Sequence, residues 1–140
     1  MKRTMMMIGA SLLVAACGDR KSDIKNALRE LASENAADMK EQIYASTMKS
    51  DLRNLMTAEE AYFQDHVKYT ANLEEVRRYW DPQGNGFRLS PGNSTPSITL
   101  VGGGWTATIQ NPNTRKVCAI FVGTKTPIPP ATIEGSPACG

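Results

Sequence analysis

Residues 104–110 read GWTATIQ, and this stretch decides the fold class because its apolar and polar side chains alternate. Successive side chains of a strand point to opposite faces of a sheet, so the alternation predicts a strand with one buried face. The same period of two recurs at residues 87–90 and 98–100, with glycine, proline and asparagine between the runs. Short strands separated by such turn residues indicate an antiparallel sheet; irregular loops are the alternative interpretation.

A fourth run, residues 117–122, reads VCAIFV and is apolar at every position. This pattern is typical of a strand that is covered on both faces of its sheet. We expect a preceding helix to cover one face and the proline-rich tail, residues 126–130, to cover the other.

The helix is predicted from residues 20–69, which contain no proline or glycine and are rich in good helix formers. The pattern predicts one long helix, or two stacked end to end. On a helical wheel the apolar positions change face near Ile43. One group comprises Ile24, Leu28, Leu31, Met39 and Ile43, and the other comprises Tyr44, Met48, Leu52, Leu55, Met56, Tyr62 and Phe63. We therefore expect residues 44–69 to pack on the sheet and residues 17–43 to form a helical arm.

A coiled coil is the alternative interpretation of the arm. Placing Ile24 and Leu31 at equivalent heptad positions puts Asp38 next in the series, so no seam of three heptads survives. The apolar stripe is still sufficient to meet a partner helix. The whole pattern predicts an α+β fold, with a long N-terminal helix packed on a four-stranded antiparallel sheet. Asn72 and Glu75 have the spacing of a capping box for a short helix over residues 73–78.

Candidate catalytic residues are few. His66 is the single histidine and follows Asp65, but neighbouring side chains on a helix diverge and do not form a dyad. The acidic pairs at 59–60 and 74–75 are interpreted as solvated faces, and the glycines at 102–104 as a hairpin turn. One histidine, with two cysteines that are expected to pair as argued below, cannot supply a structural zinc site. We predict no enzyme activity, no metal and no cofactor. The near balance of 16 basic and 14 acidic residues argues against a nucleic-acid partner.

The N-terminus has the pattern of a removable signal. Lys2 and Arg3 precede an uncharged run over residues 5–16, which is too short to span a bilayer as a helix. The run ends in Val14-Ala15-Ala16-Cys17, which resembles the lipobox of bacterial lipoproteins. That resemblance implies removal of residues 1–16 and a diacylglycerol on Cys17. An ordinary signal peptide with an incidental cysteine is the alternative. Glycine rather than aspartate follows Cys17, which resembles the outer-membrane address of Gram-negative lipoproteins.

The three cysteines fit this interpretation. Lipidation of Cys17 leaves Cys118 and Cys139 as a pair, and a disulfide is expected in an oxidising compartment. Two free buried thiols are the alternative.

The order of elements and several short stretches resemble type IV pilins and the pseudopilins of type II secretion. DLRNL at 51–55 and AEEAYF at 58–63 are similar to the end of the pilin α1 helix, and GWTA at 104–107 to the central hairpin. The resemblance covers residues 46–140 and implies a headpiece domain over residues 44–140, in which Cys139 is the C-terminal disulfide partner.

The N-terminus departs from the pilin pattern. Pilins carry a glycine cleavage site, a phenylalanine, a glutamate at the fifth position and about twenty apolar residues, whereas here Gly9 is followed by Ala10. Asp19, Arg20 and Lys21 would be costly to bury in a filament core. We therefore expect a non-enzymatic pilin-like lipoprotein, held in the membrane by its lipid, with a structural or interaction role in a pilus or secretion assembly. A periplasmic or surface lipoprotein that binds a small ligand or inhibits an enzyme is the alternative.

Cleavage and lipidation can be tested together. We expect mass spectrometry of the chain isolated from bacterial membranes to find Cys17 as its first residue, carrying a diacylglycerol. Cys17→Ser should abolish both changes, because the thiol is the group that is alkylated. An unmodified thiol at position 17 of the processed wild-type chain would contradict the lipobox interpretation.

Overall fold

The computed structural model describes the backbone of residues 16–79 and 88–140 and the side chains of residues 20–79 and 88–140. The predicted signal peptide, apart from the backbone of its last residue, lies outside these ranges. The elements are α1 (Ala16–His66), α2 (Leu73–Arg77), β1 (Ser97–Val101), β2 (Gly104–Gln110), β3 (Val117–Val122) and β4 (Ala138–Cys139). The predicted α+β class, with a long helix and a four-stranded antiparallel sheet, is confirmed.

Helix α1 is 51 residues long and ends three residues before the predicted position. Val67 adopts the left-handed backbone conformation, with φ 54°, and its N–H donates to the carbonyl of Phe63 at 2.7 Å. A residue in this conformation just past the last helical residue caps the helix and turns the chain away from the helix axis.

The chain divides into two units, Met1–Asp38 and Met39–Gly140. In the first unit, every described side chain from Arg20 onwards is exposed. In the second unit, burial begins at Ala45 and continues along the face that carries Met48, Leu52 and Leu55. The α1 contribution to the core is therefore drawn from the second apolar group of the sequence.

The strands of the sheet lie in the order β1-β2-β3-β4, and each neighbouring pair is antiparallel. Gly102 and Gly103 form the predicted turn between β1 and β2, with φ of 58° and 91°. A two-residue hairpin turn of this kind needs positive φ at its central positions, which glycine adopts without strain.

The inner face of the sheet follows the predicted period of two. Trp105, Ala107 and Ile109 of β2 are fully buried, and Cys118 and Ile120 of β3 join them. These side chains form one hydrophobic cluster with Met48, Leu52, Leu55 and Ala58 of α1, and with Val76 of α2.

The outer face of β3 is covered by the C-terminal tail, as predicted. Ala119 and Phe121 point away from α1 and cluster with Ala131, and Ile128 and Ala138 pack around them. The disulfide between Cys118 and Cys139 closes the loop at a sequence separation of 21 residues. Both faces of β3 are therefore buried, which explains why its sequence is apolar throughout.

The prediction of a strand at residues 87–90 is wrong. The structure describes residues 88–90 of this stretch, and they form no strand. Asp51 of α1 explains the difference, since its carboxylate accepts from the backbone N–H of Ser90 at 2.9 Å and from the Ser90 hydroxyl at 2.8 Å. The fourth strand is β4 instead, with Cys139 opposite Cys118 in the register.

Helix α2 begins at the predicted residue. The Asn72 side chain accepts from the N–H of Glu74 at 3.1 Å, as expected of an N-cap. In a capping box the Glu75 side chain would accept from the Asn72 N–H. Here the Asn72 N–H donates to the hydroxyl of Thr70 instead, at 3.0 Å.

Removal of the disulfide should destabilise the second unit. Closing a loop of this length stabilises a protein by about 3 kcal/mol in the chain-entropy model, so Cys118→Ser combined with Cys139→Ser should lower the free energy of unfolding by that amount. Urea denaturation of both proteins measures the difference.

Ile133→Ser is the matched control, because Ile133 lies in the same loop and is 69% exposed. We expect it to change the free energy of unfolding by less than about 0.5 kcal/mol. An unfolding free energy of the double variant equal to that of the wild type would contradict this account.

Candidate functional site

The end of α1 and the segment that follows it bring together three glutamates, two tyrosines and a threonine. What we call the carboxylate cluster comprises Glu59, Glu60, Tyr62, Tyr69, Thr70 and Glu75. Helix α1 supplies the first three and α2 supplies Glu75, while the intervening turn supplies Tyr69 and Thr70. A cluster of this composition had not been expected from the sequence.

Glu59 is fully buried, so its interpretation as part of a solvated face is wrong. One carboxylate oxygen, Oε2, accepts from the backbone N–H of Thr70 at 3.2 Å, and the other has no partner among the described residues. Burial raises the pKa of Glu59 to about 7, and the charges of Glu60 and Glu75 also raise it, whereas the Thr70 N–H opposes the shift. The side chain is thus poised to gain or lose a proton near neutral pH.

Glu75 holds α2 against α1. Its Oε2 accepts from the Thr70 hydroxyl at 2.9 Å and from the Tyr62 hydroxyl at 3.0 Å. These two hydrogen bonds favour the charged carboxylate and lower the pKa of Glu75. Glu74, the neighbour of Glu75 in the sequence, is exposed as predicted and forms a salt bridge with Arg77.

His66 lies at the last residue of α1, where its ring stacks on Tyr62 with centroids 4.0 Å apart. Its Nδ1 is 3.0 Å from the carbonyl oxygen of Tyr62, a geometry in which Nδ1–H donates to that oxygen. This hydrogen bond and the stacking on Tyr62 hold the imidazole against the last turn of α1.

Beside the carboxylate cluster lies an open groove of about 300 Å³. We call it the hairpin groove, because it is lined by the residues after α1 and by the β1–β2 hairpin: Phe63, Val67, Lys68, Tyr69 and residues 100–104. Tyr69 lies between Phe63 and Trp105, with ring centroids 4.7 and 6.4 Å away, and donates its hydroxyl to Glu60 at 2.8 Å. Burial and this hydrogen bond raise the pKa of Tyr69 to about 12, so the hydroxyl stays protonated.

Two apolar side chains of the hairpin groove face solvent. Val67 is 79% exposed and Leu100 is 51% exposed. Leu100 belongs to β1, the strand at one edge of the sheet, and Val67 lines the same groove. An exposed apolar surface at a sheet edge is suited to binding an apolar side chain or an extended segment of another protein. The groove volume is at the lower end of the range for small-ligand pockets.

The predicted site residues have different outcomes. Cys118 and Cys139 are bonded to each other, whereas Cys17 is placed only by its backbone in α1 and its side chain lies outside the described residues. Among the described side chains, residues 20–79 and 88–140, no group of three histidine, cysteine or acidic residues is arranged to hold a metal ion. Neither described helix is long and apolar enough to cross a membrane.

The burial of Glu59 had a signal in the sequence, because Glu59 is seven residues after Leu52 and four after Leu55. This spacing puts a residue on the same helix face as both leucines. The exposure of Val67 had no comparable signal, since it depends on where α1 ends.

The stability of the second unit should fall as the pH rises, because of Glu59. Its pKa rises from 4.5 to about 7 on folding, so the unfolded chain loses the proton first and stability declines between these two values. A shift of this size corresponds to about 3 kcal/mol. In urea denaturation, the free energy of unfolding of Glu59→Gln should be close to that of the wild type at pH 5 and higher than that of the wild type at pH 8.

Glu60→Gln is the control for this experiment, since Glu60 neighbours Glu59 but is only half-buried. We expect it to retain the decline between pH 5 and pH 8. A Glu59→Gln variant less stable than the wild type at pH 8 would show that the fold favours the charged carboxylate.

Comparison of the chain with protein-family models, with curated proteins and with solved structures found no match.

Proposed function

We propose that this chain is a non-enzymatic, pilin-like lipoprotein with a structural or interaction role at the bacterial cell envelope. A lipid on Cys17 attaches it to the outer membrane, on the periplasmic or the surface side. The headpiece domain, residues 44–140, contacts a protein of a type IV pilus or a type II secretion system.

One combination of features carries this proposal. A lipobox-like sequence ending at Cys17 is joined to a helix that packs on an antiparallel sheet, and the Cys118–Cys139 disulfide closes that sheet at the C-terminus. A disulfide is characteristic of proteins outside the cytoplasm, which agrees with export by the lipobox signal. The sheet and the helix packing are also the features on which the resemblance to pilins rests.

The hairpin groove is the surface that we assign to the protein partner. Val67 and Leu100, the latter a residue of the edge strand β1, present exposed apolar surface, and the neighbouring Lys68 adds a positive charge. Burying both side chains against a partner would remove apolar surface from contact with water, which is the usual driving force of association.

The same groove also supports the alternative function, a lipoprotein that captures a small ligand or inhibits an enzyme. Its volume of about 300 Å³ admits a small apolar group, and Tyr69 and Lys68 are polar groups at its margin. This alternative predicts saturable binding of a small molecule by the isolated protein, without pilus or secretion components.

Capture from detergent-solubilised envelopes tests the proposal. We expect the lipidated chain to recover components of a pilus or a secretion system. Val67→Asp combined with Leu100→Asp should reduce that recovery at least tenfold, because two charges would be buried at the contact. Mass spectrometry of the captured proteins provides the measurement.

Ile133→Asp is the matched control, because Ile133 is an apolar residue outside the hairpin groove whose exposure, 69%, lies between those of Leu100 and Val67. It should leave recovery unchanged. If the wild-type chain never recovers pilus or secretion components, the proposal is wrong. If the control variant and the groove variant lose recovery equally, the groove is not the contact surface.

A further inference from the structure

Three large apolar side chains of α1 lie together on one exposed face within the first unit. Ile24, Leu28 and Leu31 are 60%, 62% and 56% exposed. At about 100° per residue they fall within about 60° of one another on the helix surface. We call this face the arm stripe. Asn35 continues it by one further turn, so its apolar part spans about two turns of helix.

The charges around the arm stripe are divided by position along the helix. Residues 20–29 carry four basic side chains and Asp23, a net charge of +3. Residues 30–38 carry three acidic side chains and no basic one, a net charge of −3. The helix segment is therefore positive in its first half and negative in its second half, and the sign changes between Arg29 and Glu30.

This arrangement does not serve the stability of a single helix. Lys21, Lys25 and Arg29 follow one another at intervals of four residues, and so do Glu30, Glu34 and Asp38. Like charges at this spacing repel each other on a helix surface. Within the described residues, none of these six side chains has an oppositely charged partner within 4 Å.

We propose that the arm stripe binds a second copy of this chain, with the two helices antiparallel. A two-fold axis between Arg29 and Glu30 places each residue n opposite residue 59 − n of the second copy. Leu28 then packs on Leu31 of the second copy, and Lys21 lies level with Asp38 of the second copy. The positive half of each helix lies level with the negative half of the other, and the interface closes on itself.

The charge pattern selects this occupant over two others. In a parallel, in-register pair the two positive halves would lie side by side, and so would the two negative halves. An anionic membrane surface would attract residues 20–29 but repel residues 30–38, which carry a net charge of −3. Only the antiparallel copy places residues of opposite charge at the same level along the segment, and Lys21 and Asp38, which flank the arm stripe, are the pair nearest the interface.

The pairing does not depend on the lipid or on the partner proposed above. Two helix segments of about 19 residues bury less surface than a standard protein interface, so we expect reversible association in the micromolar range. Attachment to one membrane would raise the effective concentration of the two copies. Both attachment points can insert in one membrane when the paired segments lie along its surface, because the two copies of Cys17 are then separated along the helix axis by about 37 Å.

Analytical ultracentrifugation of residues 17–140 carrying Cys17→Ser, produced without the predicted signal peptide, tests the pairing without the lipid. We expect a monomer–dimer equilibrium in the micromolar range. Leu28→Ser should raise the dimer Kd at least about tenfold, because the side chain that packs at the two-fold axis is lost. Ile133→Ser, at an exposed residue of the second unit, should leave the Kd unchanged. Lys21→Glu should weaken the dimer, and Lys21→Glu combined with Asp38→Lys should restore it.

Disulfide cross-linking tests the direction of the pairing in the same background. Ile24→Cys combined with Asn35→Cys should give a covalent dimer on mild oxidation, since the two positions lie opposite each other. Ile24→Cys alone should not, because its two copies would be about 16 Å apart along the axis, too far for a disulfide.

Several results would overturn the proposal. A chain that stays monomeric at about 1 mM has no self-association in the expected range. Efficient cross-linking of the Ile24→Cys single variant would show a parallel pair. Binding of the monomer to phosphatidylglycerol vesicles that Leu28→Ser abolishes would assign the arm stripe to a membrane instead. Loss of pilus or secretion contacts in the capture experiment would leave the pairing unaffected, so the two proposals fail separately.

Discussion

The packing of α1 on the inner face of β2 and β3 is the interaction on which the second unit depends. Trp105, Ile109 and Ile120 have no exposed surface because Leu52 and Leu55 cover them. A sheet of four short strands has no independent stability unless one face is buried in this way. The tail and its disulfide then cover the outer face of β3, so this strand is enclosed on both sides.

Two buried acids on the packing face of α1 have different roles. Asp51 accepts three hydrogen bonds, two from Ser90 and one from Asn93, and thereby fixes the chain that leads into β1. Glu59 accepts one hydrogen bond, from Thr70, and carries one oxygen without a partner among the described residues. A satisfied carboxylate orders the loop around it, whereas a partly satisfied one is costly to keep charged. The helix therefore has a rigid attachment near its middle and a pH-sensitive one near its end.

The sequence predicted the helices and strands whose apolar residues repeat at regular intervals because one face is buried. It did not predict the features that depend on hydrogen bonds between residues far apart in the sequence. The period of two at Trp105, Ala107 and Ile109 indicated β2 correctly because one face of that strand is buried. Residues 88–90 have the same period, but Ser90 gives its N–H to Asp51, 39 residues earlier, and no local pattern predicts that contact. Strand β4 has two residues, too few for any period, and depends on the disulfide and its pairing with β3. The carboxylate cluster was missed for the same reason, because it joins three separate segments.

The position of Val67 has a consequence for how this surface evolves. A β-branched residue with φ 54° is strained, and glycine or asparagine would adopt this backbone conformation more easily. Its side chain is 79% exposed and gains little from packing within the chain. Selection for folding stability alone would therefore favour glycine or asparagine at position 67. If related chains keep valine at this position, its side chain is retained for binding another molecule.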